Sequence, residues 1–530
     1  MLFSSRKTDK TGTCSSQRFR DCEDRPRRLK AQFFSILTIF TGAYYIYWII
    51  TSVNKEHSLV AFFFILAEIS CWMLFIFSTI GLWRLRFKPE EGIPVTLTGS
   101  VDIFIPTYSE PLKYLKMTIR AASRIEYSGD IHMYVLDDAG RKEVEELALE
   151  YGFHYLSRPL DNIPNKNAKS GNLNYGLQKT DGDFILVLDA DQVAQPNIVN
   201  SLIGYMHFPE VAFVQSKQSY LTQEGDPFYN KSQVFYEIVQ LAMDNNDTSL
   251  SSGSGVLYRR KALESIGGFV EWNIVEDLTT SYELHAHGWK SFYFPHSLSR
   301  GLAPTSIGGV YQQRGQWALD TMRIFLWDNP FFKKGLSFIA RMEYSTVAMS
   351  YICSAFIFPF FYLVPIWSYL TGKTILIRPE LEFVIIRSIY LFFMVIATKY
   401  LCYRQQPGKQ FRMLAGLFPI YMWGIIRAFY YPKGKKPGYC PNNATLACSI
   451  TLQSKRPLIA VLPQVCILLL NLILPFVSLY AGLCDPRVIA ANILISAIAI
   501  WSMSQVVWSA LFPGDWEPEE DPEHVYSLDA

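Results

Sequence analysis

"DFILVLDADQ", residues 183–192, is a short run of apolar residues that ends in two carboxylates. Three further runs have the same character: "SVDIFIPTYSE" from Ser100, "IHMYVLDDAG" from Ile131 and "VAFVQSKQ" from Val211. Helix-like stretches separate them. Continuously apolar strands that alternate with helices are typical of a mainly parallel sheet buried on both faces. We therefore expect an α/β domain between about residues 98 and 340.

Polar residues recur at the carboxyl ends of these predicted strands, where ligands bind in open α/β sheets. Asp189 and Asp191 end the first run, and Asp137 and Asp138 end another. Two carboxylates two residues apart can share a hard divalent cation, although aspartates are also common in solvated turns. Two acidic strand ends at one edge would repel each other without a cation or hydrogen-bond donors. This pattern favours a charged cleft.

Two loops have the composition of binding loops. "NAKSGNLNYG" places Lys169 in a Gly- and Asn-rich stretch ahead of a helix, which suits a diphosphate but also an ordinary surface loop. "SGSGVLYRR" places Gly253 and Ser254 before a strand-like run. Small residues there allow the close approach of a ligand, or simply a tight turn.

Glu276 and Asp277 stand at the beginning of a predicted helix in "NIVEDLTTSYEL". Negative charge at that position complements the helix dipole, which is the simpler explanation. The functional alternative is a general base, since a positioned carboxylate that removes a hydroxyl proton contributes ~10²–10⁴ in rate.

Long apolar runs flank the α/β segment on both sides. Half of the 530 residues are hydrophobic and only 18% are charged, which is unusual for a soluble protein of this length. A spanning helix needs roughly 20 apolar residues. Six runs meet that length, at residues 31–53, 59–83, 344–370, 381–401, 458–481 and 487–511. A seventh, near 411–430, has basic residues at both ends, so we interpret it as interfacial or re-entrant.

The distribution of basic residues orients these spans. Arg25–Lys30 precede the first run and "RLRFK" follows the second, which predicts a cytoplasmic N-terminus and a cytoplasmic α/β segment. The predicted organisation has five parts: a cytoplasmic tail (1–30), two spans (31–83), the α/β domain (84–340), four spans with an interfacial segment (341–512) and an acidic cytoplasmic tail (513–530). The formal net charge of +2 gives no reason to expect nucleic acid, and the nine cysteines show no disulfide or metal-binding pattern.

Taken in order, the motifs resemble those of a known family. They are "PTYSE", "LDDAG", "NAKSGNLN", "DAD", "SGSGVLYRR", "VED" and "QRGQW". The same order is found in processive, membrane-embedded family 2 glycosyltransferases of the cellulose, curdlan, chitin and hyaluronan synthase group. The resemblance extends over about residues 30–510. It implies a GT-A-type domain inserted between transmembrane helices, a UDP-sugar donor, and Mg²⁺ or Mn²⁺ as cofactor.

The resemblance also implies a role for each matching residue. Residues that would hold the donor are Thr107, Tyr108, Asp137, Asp138, Lys169, Asp189 and Arg314. Residues that would contact the acceptor are Gly253, Ser254, Gln313 and Trp317. Asp189 and Asp191 would bind the metal. Asp277, beside Glu276, would be the base that activates the acceptor hydroxyl, and Trp317 would be the platform for the terminal sugar.

Several positions depart from the family's pattern. Gln316 stands where an arginine usually precedes the tryptophan, and Val275 stands where T-E-D has threonine. Leu250–Ser252 replace the phenylalanines and cysteine of cellulose synthases, and "KKPGYCPNNAT" lacks the V-T-x-K gating signature. The missing cation at position 316 would have to come from Arg314 or from a basic residue nearer the C-terminus.

Three functional hypotheses follow. The leading one is processive synthesis of a β-linked glucan from UDP-glucose, with passage of the growing polysaccharide through the lipid bilayer. Chitin-type or hyaluronan-type synthesis from UDP-N-acetylglucosamine or UDP-glucuronate would use the same nucleotide and metal residues. The second is non-processive transfer of one sugar to a lipid, which four later spans make less attractive. The third is a catalytically silent partner of a separate synthase, and the oligomeric state stays open.

Overall fold

The computed structural model describes residues 14–85, 99–222, 224–377, 380–403, 405–437 and 457–513. The first residues of the predicted N-terminal tail, nearly all of the predicted acidic tail and most of "KKPGYCPNNAT" lie outside these ranges. The described chain forms an eight-stranded sheet with helices on both faces, followed and preceded by long apolar helices.

The helices and strands have the following bounds. The strands are β1 Val101–Thr107, β2 Ile131–Asp137, β3 His154–Leu156, β4 Phe184–Val187, β5 Val193–Ala194, β6 Val211–Leu221, β7 Val256–Arg259 and β8 Lys290–Leu302. The helices up to the end of the sheet domain are α1 Cys14–Ser52, α2 Ser58–Leu82, α3 Leu112–Ala122, α4 Lys142–Glu150, α5 Ala168–Lys179, α6 Ile198–Ile203, α7 Gln240–Asn245, α8 Arg260–Ser265, α9 Glu276–Ala286 and α10 Ile307–Trp327. The later helices are α11 Phe338–Ile352, α12 Phe358–Thr371, α13 Glu380–Leu401, α14 Pro407–Gly416, α15 Phe418–Tyr430, α16 Pro457–Ala460, α17 Leu462–Tyr480 and α18 Pro486–Leu511.

The sheet is mixed, with strand order β3-β2-β1-β4-β7-β6-β8-β5. Its first half is parallel, as the sequence predicts: β1 pairs in parallel with β2 and β4, and β2 with β3. The second half departs from the predicted, mainly parallel sheet, because β7 runs antiparallel to both β4 and β6. The loop before β7 lies beside the end of β4. Ser254 Oγ accepts a hydrogen bond of 2.9 Å from the Asp189 N–H, so β7 starts at the edge where β4 ends.

The sheet is buried on both faces. In β1, Ile103 and Ile105 pack into the apolar cluster that includes residues of α3, α4 and α6. Phe104, between them, packs with residues of α5, α8 and α9 on the opposite face. Full burial of each such side chain stabilises the fold by roughly 1.5–3 kcal/mol. The polar side chains of the site described below follow the ends of these strands.

Within the described residues, six helical stretches are long and apolar enough to cross a membrane, and each overlaps one of the six predicted runs. They are Arg25–Ser52, Ser58–Leu82, Phe338–Thr371, Leu381–Leu401, Leu462–Tyr480 and Pro486–Leu511. The third stretch joins α11 to α12 through a π-helical turn at Cys353–Ile357. The seventh run forms α14 and α15, which meet at an angle of 61°, as in a broken span or a re-entrant loop.

Helix α10 connects the sheet domain to the apolar helices. Tyr311, Leu319 and Met322 of α10 belong to one buried cluster with residues of α14, α15 and α18. The Tyr311 hydroxyl donates to the carbonyl of Ala460, 3.0 Å away, and accepts from Gln464 Nε2 at 2.9 Å. The helix that carries "YQQRGQW" thus packs directly on the C-terminal helices.

A buried ion pair joins the N-terminal hairpin to α13. Arg387 Nη1 lies 2.6 Å from Glu68 Oε1, which also accepts a 2.8 Å hydrogen bond from the Tyr45 hydroxyl. The Arg387 guanidinium also lies over the rings of Phe361 and Phe383. A charged side chain in the middle of an apolar helix is costly unless it is paired. The pair therefore favours the association of α1, α2 and α13.

We predict that Glu68→Gln and Arg387→Leu each lower the thermal stability of the detergent-purified protein, because each leaves one buried charge without its partner, at a cost of about 3–5 kcal/mol. The double variant should recover part of the loss, since it buries no unpaired charge. Tyr45→Phe, which removes one hydrogen bond, serves as the mild control. Additive losses in the double variant would contradict the pairing.

Candidate active site

A cavity of about 570 Å³ opens at the edge of the sheet where β1, β2 and β4 end. The N-terminus of α9, one face of α10 and the segment after α15, here called the strap (residues 431–437), complete its wall. Predicted site residues that line the cavity are Thr107, Tyr108, Asp138, Lys169, Asp189, Asp191, Glu276, Asp277, Gln313 and Trp317. Those that lie outside its lining are Asp137, Gly253, Ser254 and Arg314.

Lys169 is the central cation of this cavity. Its Nζ lies 2.6 Å from Asp189 Oδ1 and 2.9 Å from Glu276 Oε1, and it donates to the carbonyl of Gly253 at 2.9 Å. Burial acts to lower the pKa of Lys169, but Asp189 and Glu276 outweigh it and hold the pKa well above its ordinary value. Lys169 is therefore a permanent positive charge that connects a strand end to the start of α9.

Asp277 lies beside this cluster at the first turn of α9. One carboxylate oxygen accepts a 2.6 Å hydrogen bond from the Leu278 N–H, and the other faces Gly253. Burial, followed by the negative charge of Glu276, raises the pKa of Asp277 to about 8. Gly253 has φ +79° and its missing side chain leaves the Asp277 carboxylate room, since a Cβ there would lie 2.9 Å from Oδ2. In its ionised form a carboxylate with a raised pKa is a stronger base, and a cation bound at the neighbouring Asp189 would favour that ionised form.

Asp189 and Asp191 have the donor chemistry of a divalent-cation site. Burial, together with the neighbouring charge of Asp189, raises the pKa of Asp191 to about 7. Its negative charge is thus poorly compensated by the protein, which a cation would correct. Within the described residues, no group of three or more His, Cys, Asp or Glu side chains has the geometry of a metal site. A metal on these two carboxylates would therefore complete its coordination with oxygens from a ligand or water.

The other end of the cavity is shaped by two neighbouring aspartates with different roles. Asp138 faces the cavity and is paired with Arg158, whose Nε donates to Asp138 Oδ1 at 2.7 Å. Asp137 is fully buried behind the wall. Its oxygens accept from the backbone N–H of Arg141 at 2.8 Å and from the Tyr155 hydroxyl at 3.0 Å. Asp137 therefore fixes the turn after β2.

The end of β1 is stabilised by a second polar group. Thr107 Oγ1 donates to Glu110 Oε2 at 2.8 Å and accepts from Arg141 Nη2 at 2.7 Å. The backbone N–H of Tyr108 also donates to Glu110 Oε2, at 2.7 Å, and the Tyr108 side chain remains 51% exposed. This leaves a half-exposed aromatic ring beside Asp138 at the cavity mouth, which could stack on a flat ring system.

Helix α10 contributes an amide- and aromatic-lined wall. Gln312, Gln313, Gln316 and Trp317 all line the cavity. The Arg314 guanidinium stacks over the Trp317 ring, 4.7 Å from its centroid. Its Nη2 donates to the Tyr229 carbonyl at 3.2 Å. Arg314 thus supports Trp317 from outside the cavity.

The side chain of Gln316 is held by the protein itself. Its Nε2 donates to Asp320 Oδ2 at 2.6 Å, and the same oxygen accepts from the Val275 N–H at 3.1 Å. Asp320 is fully buried. It therefore ties α10 to the turn that begins α9 and presents Asp277.

Several cavity residues have no counterpart among the sequence predictions. They are Glu110, Asn165, Asn167, Asn172, Gln218, Tyr220, Ser252, Gln312 and Lys436. Arg158, which pairs with Asp138, was also missed. Glu110 and Gln312 belong to the quoted motifs "PTYSE" and "YQQRGQW", so proximity in sequence was a usable signal. Lys436 lies in a basic run that the sequence explained only as flanking a membrane segment.

Comparison with known proteins identifies the domains. The family described as "Glycosyltransferase like family 2" matches residues 99–319, and the family "Cellulose synthase" matches residues 264–405. The two matched ranges overlap at residues 264–319, so together they describe one continuous similarity from the sheet domain into the apolar helices. This confirms the resemblance that the order of motifs indicated.

Two of the curated proteins that are similar to this chain are named as cellulose synthases. "Cellulose synthase 1" of Komagataeibacter xylinus is 31% identical over 353 residues, which cover 62% of this chain and 22% of the relative. "Cellulose synthase catalytic subunit [UDP-forming]" of Pseudomonas fluorescens (strain SBW25) is 31% identical over 371 residues, 66% of this chain and 47% of the relative. The chain thus matches less than half the length of either protein.

A solved structure supports the GT-A-type fold of the glycosyltransferase domain. A mannosyltransferase from Pyrobaculum calidifontis, in complex with GDP-Man and Mn²⁺, superposes with a TM-score of 0.50 at 14% identity. The match covers 69% of this chain and 98% of that protein. The predicted fold class, a GT-A-type domain between apolar helices, is confirmed.

The raised pKa of Asp277 predicts how stability depends on pH in the metal-free, ligand-free protein. The folded state keeps a proton on Asp277 up to about pH 8, whereas an unfolded aspartate loses it near pH ~4. This contribution to stability is present below pH ~4 and is lost as the pH rises through about 8. Asp277→Asn should therefore lose less melting temperature between pH 6 and 9 than the parent protein.

The matched control is Asp181→Asn, at an exposed position outside the cavity lining. It should follow the parent curve. A curve for Asp277→Asn that parallels the parent protein would contradict the assigned pKa shift.

Proposed function

We propose that this protein is a processive, inverting glycosyltransferase that elongates a β-linked glucan from a UDP-sugar, with UDP-glucose as the first candidate. One observation carries the proposal: Lys169 joins the strand-end carboxylate Asp189 to Glu276, the neighbour of Asp277, inside one cavity. A tryptophan, Trp317, lines the same cavity. Side chains suited to bind the leaving group, to act as a base and to stack on a sugar therefore line one cavity.

The donor is proposed from chemistry and from similarity together. The half-exposed Tyr108 and Asp138, which is paired with Arg158, follow the ends of β1 and β2, whereas Asp189 and Asp191 follow the end of β4, on the other side of β1. A nucleoside followed by a diphosphate matches that order. The relative from Pseudomonas fluorescens is named as UDP-forming, which supports uridine as the nucleoside of the donor.

The reaction proposed is a single displacement at the anomeric carbon. The acceptor hydroxyl oxygen forms a bond to that carbon while the bond from the carbon to the diphosphate oxygen breaks. Asp277 takes the hydroxyl proton, and UDP departs with the bonding electron pair. Attack opposite the leaving group inverts the configuration, so an α-linked donor gives a β-linked product. Lys169 lies where it can stabilise the charge that develops on the diphosphate.

A divalent cation fits the proposed donor site. Asp189 and Asp191 would hold Mg²⁺ or Mn²⁺, whose chemistry is to neutralise the diphosphate and make it a better leaving group. Among the described residues, no third His, Cys, Asp or Glu side chain forms a metal-binding group with these two carboxylates. Diphosphate oxygens would therefore be part of the coordination, which couples metal binding to donor binding.

We also propose that the product leaves through the helices that follow the domain, with the domain on the cytoplasmic side. Gln464, Asn471 and Ser478 of α17 are buried polar residues spaced seven apart, so they share one face of the helix. Gln464 contacts Tyr311 of α10, and Asn471 Nδ2 donates to the Tyr362 carbonyl at 3.1 Å. Buried polar groups within an apolar helix are typical of a substrate path.

We predict that Asp277→Asn lowers polymer synthesis by ~10²–10⁴-fold, because an amide cannot accept the acceptor's proton. The measurement is incorporation of radiolabelled sugar by purified protein in lipid. Binding of UDP to the variant should remain, which separates loss of the base from loss of the fold. Polymer yield equal to that of the parent protein would refute the assignment.

We predict that the purified protein turns over UDP-glucose in the presence of Mg²⁺ or Mn²⁺ and gives a product too large to migrate as a glycolipid. EDTA should abolish turnover, since the diphosphate would then face Asp189 and Asp191 without a cation. The experiment compares UDP-glucose, UDP-N-acetylglucosamine and UDP-glucuronate, followed by digestion with linkage-specific glycosidases. A single short glycolipid product would reject processive synthesis, and turnover of none of the donors would reject the proposed function.

A further inference from the structure

The strap is held over the cavity by helix α10. Arg323, whose side chain is fully buried, donates from Nε to the Tyr431 carbonyl at 2.8 Å and from Nη2 to the Lys435 carbonyl at 3.0 Å. Lys433 Nζ lies 2.9 Å from Asp328 Oδ2, just beyond the end of α10. Two points of attachment therefore fix the path of the strap.

Arg323 also holds the turn that precedes the proposed base. Its Nη1 donates to Asn273 Oδ1 at 2.7 Å, and its Nη2 to the Trp272 carbonyl at 3.0 Å. Asp320 Oδ1 lies 3.5 Å from Arg323 Nη1, and Asp320 Oδ2 accepts a hydrogen bond from the N–H of Val275. A single buried group thus sets the position of the strap relative to Glu276 and Asp277.

Lys436 is the charged residue of the strap that lines the cavity. It lines the cavity with Glu276 and Lys169. Lys169 is already engaged by Asp189 and Glu276, whereas the Lys436 ammonium has no hydrogen bond or salt bridge to any residue in the described ranges. Burial, with a smaller effect of Arg323, lowers the pKa of Lys436 to about 8, against the opposing charges of Glu271, Asp320 and Glu276.

The balance of charge shows what this lysine can bind. Carboxylates that line the cavity are Glu110, Asp138, Asp189, Asp191, Glu276 and Asp277. Lysines that line it are Lys169 and Lys436, and no arginine of the described chain does so. The amide of Gln316 is directed to Asp320 and adds no charge. An anionic ligand would therefore find in Lys436 an uncommitted donor in the cavity that Lys169 also lines.

We propose that Lys436 binds the diphosphate of the sugar donor, and that Arg323 is the positioning residue that holds Lys436 in the cavity. The inference rests on the proposed function, since it takes the donor to be a nucleoside diphosphate sugar. Its chemistry is a charge-assisted hydrogen bond from an ammonium to a phosphate oxygen. The leaving UDP then meets two lysines, one from the sheet domain and one from the strap.

The test compares UDP with uridine, which lacks both phosphates, by calorimetry on the full chain with Mg²⁺ present. Lys436→Met should weaken UDP binding by about tenfold to a hundredfold, the effect of one hydrogen bond to a charged group. Uridine affinity should stay within about twofold, and Lys436→Arg should retain UDP affinity. Lys435→Met is the matched control, because Lys435 is the exposed neighbour in the strap and does not line the cavity.

Arg323 is tested through the same selectivity. Arg323→Lys keeps the charge but loses most of the N–H donors to the strap, so it should weaken UDP more than uridine. A general loss of structure would instead weaken both ligands alike.

The outcomes separate the inference from the proposed function. UDP binding to Lys436→Met equal to that of the parent protein, or an equal loss of UDP and uridine, overturns the role of Lys436 and leaves the proposed function standing. A parent protein that binds neither UDP nor uridine overturns both.

Discussion

The attraction between Lys169 and the carboxylates around it is the interaction on which the site depends. Asp189, Asp191, Glu276 and Asp277 line one cavity at a sheet edge. Two unit charges 4 Å apart repel by about 4 kcal/mol at an effective dielectric constant of 20. Lys169 offsets that repulsion by contacting both Asp189 and Glu276. The cluster can therefore form before a ligand binds. The repulsion that Lys169 does not offset is reflected in the raised pKa of Asp277.

The sequence predicted the strand-end carboxylates because their signal is local. A continuously apolar run that ends in "DAD" identifies both the strand and its polar edge, and the first half of the sheet follows directly from such runs. Pairings across the chain carry no such local signal. Lys436 is 160 positions from Glu276, and only the path of the strap brings them to one cavity. The sequence likewise does not indicate that Arg158 pairs with Asp138, since the residues next to Arg158 in sequence do not distinguish it from a surface arginine.

The resemblance of the motifs indicated where the candidate site lies, but it did not tell which of the matching residues line the cavity. Gly253, Ser254, Asp137 and Arg314 all belong to matching motifs, yet each lies just outside the cavity lining and holds a neighbour in place. Gly253 gives its carbonyl to Lys169, and Arg314 stacks on Trp317. Which of two adjacent aspartates faces the cavity depends on the twist and pairing of the strand. Sequence adjacency alone does not contain that information, so Asp137 and Asp138 could not be told apart.

The position of α10 has a consequence for how the molecule can be divided. Its apolar side, with Leu319 and Met322, lies in the same buried cluster as residues of α14, α15 and α18, and Tyr311 is bonded to Ala460 and Gln464. The other side of α10 forms the cavity wall. A fragment that ended near residue 340 would carry the whole sheet, but it would expose the apolar side of this helix to water. The sheet domain and the apolar helices are consecutive in sequence without being separable modules, because the helix that forms the cavity wall also belongs to the core of the apolar helices.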